Sequence, residues 1–229
     1  MNEIRKPITF EDVKNNPDVS AYLKKGNELL GVMGFTEHGF AHAGKVAVKA
    51  AEILIQLGYE ERTAELAKIA GYLHDIGNCV NRHDHAQSGA IIAFRILDRL
   101  GFDAEELADI VGAIGNHDEG TGTAVSPVSA ALILADKSDV RRSRVRYKNR
   151  TETNLSSDIH DRVNYAARQS TLLLNDEKNS VVLTLEIDTD ISAVMEYFEI
   201  FLTRMAMCRN AAAFLGLSFE LNINNIRLL

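Results

Sequence analysis

Cysteine is scarce in this chain. Two occur in 229 residues, Cys79 and Cys208, far apart and inside apolar or helical patterns. That spacing excludes a disulfide framework and suits free thiols in a reducing cytoplasm. Long apolar runs are missing as well: no stretch approaches the roughly 20 residues that a membrane helix needs. Residues Met1 to Pro7 carry charges with no apolar run behind them, so no signal peptide is expected. Repeats, low-complexity tracts and Pro/Ser-rich linkers are absent. Positive charge is in deficit. The net charge of −7 at pH 7 argues against nonspecific binding to nucleic acid or to an anionic membrane. The length suffices for one domain, or for one domain with a small appendage.

What is present is a succession of helical patterns with clear starts and stops. Thr9-Phe10-Glu11-Asp12 has the form of a cap on one helical turn. Asp18 to Leu30 reads as a helix ended by Gly31 and Gly34. A long helix from about His38 to Leu57 carries the stripe Val46, Ala50, Ile53, Leu54 and Leu57, and Gly58 closes it. Another, Glu60 to Ile76, stops at Gly77. Asp84 and Gln87 have the spacing of a capping box and open a helix that ends at Gly101. Asp103 caps one that ends near Asn116. Ser126-Pro127 starts a helix expected to run through Ala130, Leu134 and Val140 toward Arg146.

Beyond residue 150 the character changes. Ser157 to Arg168 is a short amphipathic helix. Ser170 to Leu174 and Ser180 to Ile187 are β-prone runs joined by a hairpin signal. Asp190 to Leu215 is helical, and Leu217 to Ile223 alternates like a strand. The expectation is a mostly α protein: a helical domain over 1–150 with a small α+β segment over 151–229 packed on it.

The chemistry gathers at His74-Asp75, at the end of an apolar helical pattern and just before Gly77. Neighbours on a helix differ by about 100°, so in mid-helix this pair could not easily share an ion. At a last turn the geometry is looser, and the negative end of the helix dipole favours a cation. His42, His85, His117 and Asp136 come from the other helices, mostly near their ends. Core packing gives no reason for that distribution. Hydrogen-bonded polar groups at helix ends are the plain alternative, but buried ionisable residues are rare unless paired or metal-bound.

Other candidates compete. His83 and His85 contend for one role; His85 begins the helix and takes it, leaving His83 to the loop surface. His38 could share a face with His42 but reads better as surface or as support from outside. His160 reads as surface. Cys79 reads as a small buried hydrophobe. Asp118 and Glu119 either orient ligands or move a proton, or form an ordinary acidic loop. The run Arg141, Arg142, Arg144, Arg146, Lys148, Arg150 invites a nucleic-acid reading. On a helix continued from Asp136, Arg144 and Arg146 would flank the metal-facing stripe at about 80° and reach a substrate phosphate. A solvated basic face, or a contact with the acidic remainder, is the alternative. Arg82 is a further phosphate candidate.

His42-Ala-Gly-Lys-Val46, Leu73-His74-Asp75-Ile76-Gly77, His85-Ala-Gln-Ser-Gly89, His117 and Leu134-Ala135-Asp136, in that order, resemble the HD-domain metal-dependent phosphohydrolases over roughly residues 36 to 145. The pattern is most similar to their two-metal branch. The resemblance implies an all-helical core with one or two metal ions. His42, His74, Asp75 and Asp136 would hold the first. His85 and His117 would hold the second, with Asp75 bridging as the catalytic carboxylate. Where many members carry a lysine after the His-Asp motif, this chain has Asn78.

Four neutral imidazoles and two carboxylates around two divalent ions leave a positive site that attracts phosphate oxygens, and a bridging water would ionise near neutral pH. Mixed nitrogen and oxygen ligands suit Fe, Mn, Co, Ni or Zn. The expected function is hydrolysis, by a metal-bound hydroxide, of a phosphate ester or anhydride of a nucleotide or small phosphorylated metabolite. Two alternatives use the same centre: a non-enzymatic nucleotide-binding sensor, or an HD-type di-iron oxygenase. Neither membrane nor nucleic acid is expected as a partner. For residues 151–229, homodimer formation and covering of the site are the options.

Overall fold

Caps and stops decide where this chain turns. The structure is a computed structural model that describes residues 7–229; Met1 to Lys6, most of the stretch in which no signal peptide is expected, lie outside the described residues. Helix α1 (Phe10–Lys14) begins at Thr9, whose hydroxyl accepts from the Asp12 amide while Asp12 accepts from the Thr9 amide at 2.8 Å. Helix α2 (Pro17–Val32) has proline in its first position, where no amide donor is needed. Next come α3 (Phe40–Gln56), α4 (Glu61–Leu73), a 3-10 turn (Ile76–Cys79), α5 (His85–Leu100), α6 (Ala104–Gly115) and α7 (Pro127–Lys137). Asp103 and Ser126 cap α6 and α7 through their side chains, as the sequence leads one to expect.

The alanine-rich face of α3 packs on α4 and α7. Gly71 sets how close α4 comes, since a Cβ there would sit 2.9 Å from the Ala47 Cα. Val46, Ala47, Ala50 and Leu54 of α3, Ala67 and Leu73 of α4, and Leu132 and Ile133 of α7 are fully buried there. The buried apolar cluster continues from Phe10 through these helices to Ile223.

The last third holds α8 (Glu152–Ser157), α9 (Ile159–Ala166), β1 (Ala167–Leu174), β2 (Ser180–Ile187), α10 (Val194–Phe214), β3 (Ser218–Ile223) and β4 (Ile226–Arg227). The sheet order is β1-β2-β3-β4. β1 and β2 form the expected antiparallel hairpin, but β2 and β3 run parallel. A parallel pair needs a crossover, and α10 provides it while packing on both α7 and β3. Leu217, Phe219, Leu221 and Ile223 are all buried, as their alternation requires. The mostly α architecture with a small α+β end is borne out. No helix among the described residues is long and apolar enough to cross a membrane, and both cysteines are free.

Two local expectations fail for physical reasons. Helix α7 stops at Lys137, far short of Arg146. Ser138 ends it by donating its hydroxyl to Ala135 O at 2.9 Å, and the chain is extended by Arg141. Asp84 is no side-chain cap: its backbone is left-handed (φ 55°), and its carboxylate turns to His83. Gln87 reaches instead to the Gly115 carbonyl and Thr121. The short helix expected over 157–168 is α9, which Asp158 caps by accepting from the His160 amide at 2.8 Å, just after Ser157 ends α8.

Candidate metal centre

Three helices end and two begin at one place. His74 is the C-cap of α4 and Asp75 follows it. His117 comes directly after the C-cap of α6, and Asp136 lies in the last turn of α7. His42 is in the first turn of α3, and His85 is the first residue of α5. All six are buried. Three helix C-termini meeting here add partial negative charge and favour a cation. Gly77 joins the Asp75 turn to α5 so tightly that a Cβ would collide with the carbonyl oxygen of His85.

The donor atoms fit a metal. Ligands about 2.1 Å from one ion lie roughly 3.0–3.4 Å from each other. His42 Nε2 is 3.3 Å from His74 Nε2 and 3.2 Å from Asp136 Oδ1. His74 Nε2 is 3.4 Å from Asp75 Oδ2 and 3.5 Å from Asp136 Oδ1. On the other side of Asp75, His85 Nε2 is 3.4 Å from Oδ1 and 3.1 Å from His117 Nε2. His42 with His74 and Asp136, and His74 with Asp75 and His117, form two groups that could each hold an ion.

The hydrogen-bond partners fix which ring nitrogen is free. Nδ1 of His42 donates to Asp139 at 2.7 Å, and those of His74, His85 and His117 donate to the carbonyls of Gly71, Arg82 and Ile114 at 2.8, 3.0 and 2.6 Å. Each neutral ring then presents a bare Nε2. Two lone pairs facing each other repel unless a proton or a cation lies between them. The Asp75 Oδ2 atom is buried without a hydrogen-bond partner among the described residues, which is costly unless a cation is there.

The electrostatics agree. Burial works against charge on His74, yet Asp75 and Asp136 push it up to about 10, so this point favours positive charge. Burial pulls His85 and His117 down, keeping them neutral as ligands must be. Burial also opposes ionisation of Asp75 and Asp136, but His74 and Lys137 respectively hold them well below the usual carboxylate range.

Around the six lie groups that aim them. Asn78 donates to Asp75 Oδ1 at 2.7 Å, leaving Oδ2 bare. Lys137 holds Asp136 Oδ2 at 2.8 Å, leaving Oδ1 for the histidines. Lys137 also meets Glu119 at 3.2 Å, and Glu119 meets Arg204 of α10 at 2.8 Å. Sequence reasoning missed Asp139, Lys137 and Arg204. One trace was there: Arg204 is the lone charge between Ile200 and Cys208.

A cleft of about 290 Å³, lined in part by His38, Arg82, Arg144 and Arg204 but by none of the six, meets the centre through Arg82, 3.6 Å from Asp75 Oδ1, and through His38. His38 is half-buried, with its ring edge-on to His42, and exposed His160 also lines the cleft. His83 is exposed and paired with Asp84, away from the six. Arg146 faces elsewhere, donating to the carbonyls of Phe35 and Asn27. The basic run as a whole staples a strap rather than forming one face. Arg144 holds Glu37 O, Arg142 holds Tyr165 O, and Lys148 holds Gly31 O. A larger hollow of about 640 Å³ between α3 and β1 touches Asp139 but none of the six.

A family model for the HD domain matches residues 39–159, more than half of the chain. The chain belongs to the HD domain family, the superfamily of metal-dependent phosphohydrolases. It is 28% identical over 161 residues to an uncharacterized protein of Methanocaldococcus jannaschii, covering 61% of this chain and 62% of that protein, so it spans less than two thirds of that relative's length. Among solved structures, a predicted HD superfamily hydrolase from an uncultured Thermotogales bacterium is 28% identical, with a TM-score of 0.42, over 57% of this chain and 73% of that one.

Proposed function

We propose that this chain is a metal-dependent phosphohydrolase cleaving a phosphate ester or anhydride of a nucleotide or small phosphorylated metabolite. The observation that carries this reading is the gathering of four Nε2 lone pairs around the buried Asp75 carboxylate, two at Oδ2 and the His85–His117 pair at the Oδ1 side, near an arginine-lined cleft. His42, His74, Asp75 and Asp136 would hold one divalent ion. His85 and His117 would hold a second, with Asp75 shared because its two oxygens face the two groups. Fe, Mn, Co, Ni and Zn all suit such ligands. When bound, these ions supply Lewis acidity toward phosphate oxygens and a water that ionises near neutral pH.

The chain's own residues do the rest. Asn78 and Lys137 each occupy one carboxylate oxygen and so aim the other. Asp139 holds the His42 ring in the tautomer that leaves Nε2 free. Arg82, with Nη1 3.6 Å from Asp75 Oδ1, offers positive charge where a phosphate would enter. The test is metal analysis of the purified protein together with a screen of phosphorylated metabolites, run beside Asp75→Ala. Stoichiometric metal and metal-dependent phosphate release, both lost in the variant, are expected. Undiminished phosphate release by Asp75→Ala would sink the reading.

A further inference from the structure

The cleft is lined by both signs of charge: Arg82, Arg144 and Arg204 with Glu119, Asp158 and Asp161. Arg82 marks the wall at the metal centre. Arg204 joins the cleft from α10. Its Nε is committed to Glu119 at 2.8 Å, and its guanidinium lies 4.2 Å from the centroid of the Phe201 ring. An arginine fixed in plane in this way keeps its Nη edge for a ligand, and that edge matches the geometry of a phosphate.

A further part of the lining comes from α9 and its cap. Asp158, Asp161 and Asn164 line the cleft from there. One oxygen of Asp158 is taken by the amides of His160 and Asp161 at 2.8 and 3.2 Å. Asp161 is buried and accepts from Asn149 at 2.6 Å. Carboxylates there accept from hydroxyl or amino groups and repel a further phosphate. The volume, about 290 Å³, lies at the small end of the ~300–1,000 Å³ common for small-molecule sites.

We propose that the cleft takes a phosphomonoester. Its single phosphoryl group is held by Arg82 and Arg204, and its hydroxyl- or amino-bearing body faces Asp158, Asp161 and Asn164. Di- and triphosphates and dinucleotides are disfavoured. This rests on the phosphohydrolase reading and narrows its bond from ester or anhydride to ester. In the reaction the oxygen of water bonds to phosphorus and the ester P–O bond breaks. One water proton ends on the released alcohol, and orthophosphate leaves.

The full chain loaded with Mn²⁺ tests this by calorimetric titration with AMP, ribose 5-phosphate and ADP, each also assayed for phosphate release. At least one monophosphate should bind 10-fold or more tighter than ADP. Arg204→Met should weaken that binding at least 10-fold with the fold intact by circular dichroism, Arg204→Lys should recover part of it, and Asp158→Asn should narrow the gap to ADP. ADP binding as tightly as both monophosphates, neither monophosphate binding, or Arg204→Met binding like the parent would each overturn the proposal. Selective monophosphate binding without phosphate release overturns the phosphohydrolase reading and leaves the ligand class standing.

Discussion

The stretch from α3 to α7 and the stretch from α8 to β4 place their polar residues differently. In the first, His42, His74, His85, His117 and Asp136 all sit at helix ends. Backbone groups and dipoles there already favour ions, and the geometry follows from how the helices stack. In the second, Arg204 sits in the middle of α10 among core residues, and Asp161, though in the first turn of α9, is buried. Their hydrogen-bond partners, Glu119 and Asn149, come from other elements. The first stretch presents groups that could hold a cation. The second lines part of the cleft near them.

That contrast can be broken in several places. The largest effect should come from Asp75→Ala, which removes the carboxylate both histidine groups share. Metal content should drop to background and phosphate release by at least about 10³-fold. Retained metal at parental stoichiometry would mean the two groups do not depend on Asp75. Next is Gly77→Ala. The added Cβ has no room against α5, and overpacking of this kind costs about 3 kcal/mol, read as a drop in Tm; an unchanged Tm would show the turn can yield. Asp139→Asn should cost about 10–100-fold in metal affinity by loosening His42, with the fold intact by circular dichroism.

A smaller effect concerns acid. Burial opposes ionisation of Glu119, but Arg204 and Lys137 hold it down to about 2, from an ordinary 4.5. A depressed carboxylate stabilises the fold above its unfolded value, and that contribution is lost as pH falls through about 2. Tm should therefore decline below about pH 5, and Glu119→Gln should flatten the decline. An equally steep decline in the variant would place the acid sensitivity elsewhere. Smallest is Arg146→Gln. It should cost about 1 kcal/mol through its lost carbonyl bonds and leave monophosphate affinity untouched, whereas Arg204→Met should weaken that affinity at least 10-fold.

The helices and the six clustered side chains were legible because both obey local rules. Apolar spacing of 3.6 with polar caps marks a helix, and His or Asp at several helix ends has few uses but ion binding. The end of α7 was not legible. Val140 keeps the apolar period going, while the stop depends on Ser138 and on arginines whose carbonyl partners, Phe35 and Glu37, lie about a hundred residues upstream. Asp84 and Gln87 had the right spacing for a cap, but a left-handed backbone at Asp84 redirected both. Lys137 and Asp139 adjoin the Asp136 motif, yet only the fold brings Glu119 and His42 to them.

The missing Cβ of Gly77 reaches further than packing. Because the Asp75 turn rests on the first turn of α5, Asp75 and His85 ride on one rigid piece. The 3.4 Å between Asp75 Oδ1 and His85 Nε2 is therefore set by how the turn packs on α5 and not by either side chain alone, so a substitution at Gly77 would move both at once.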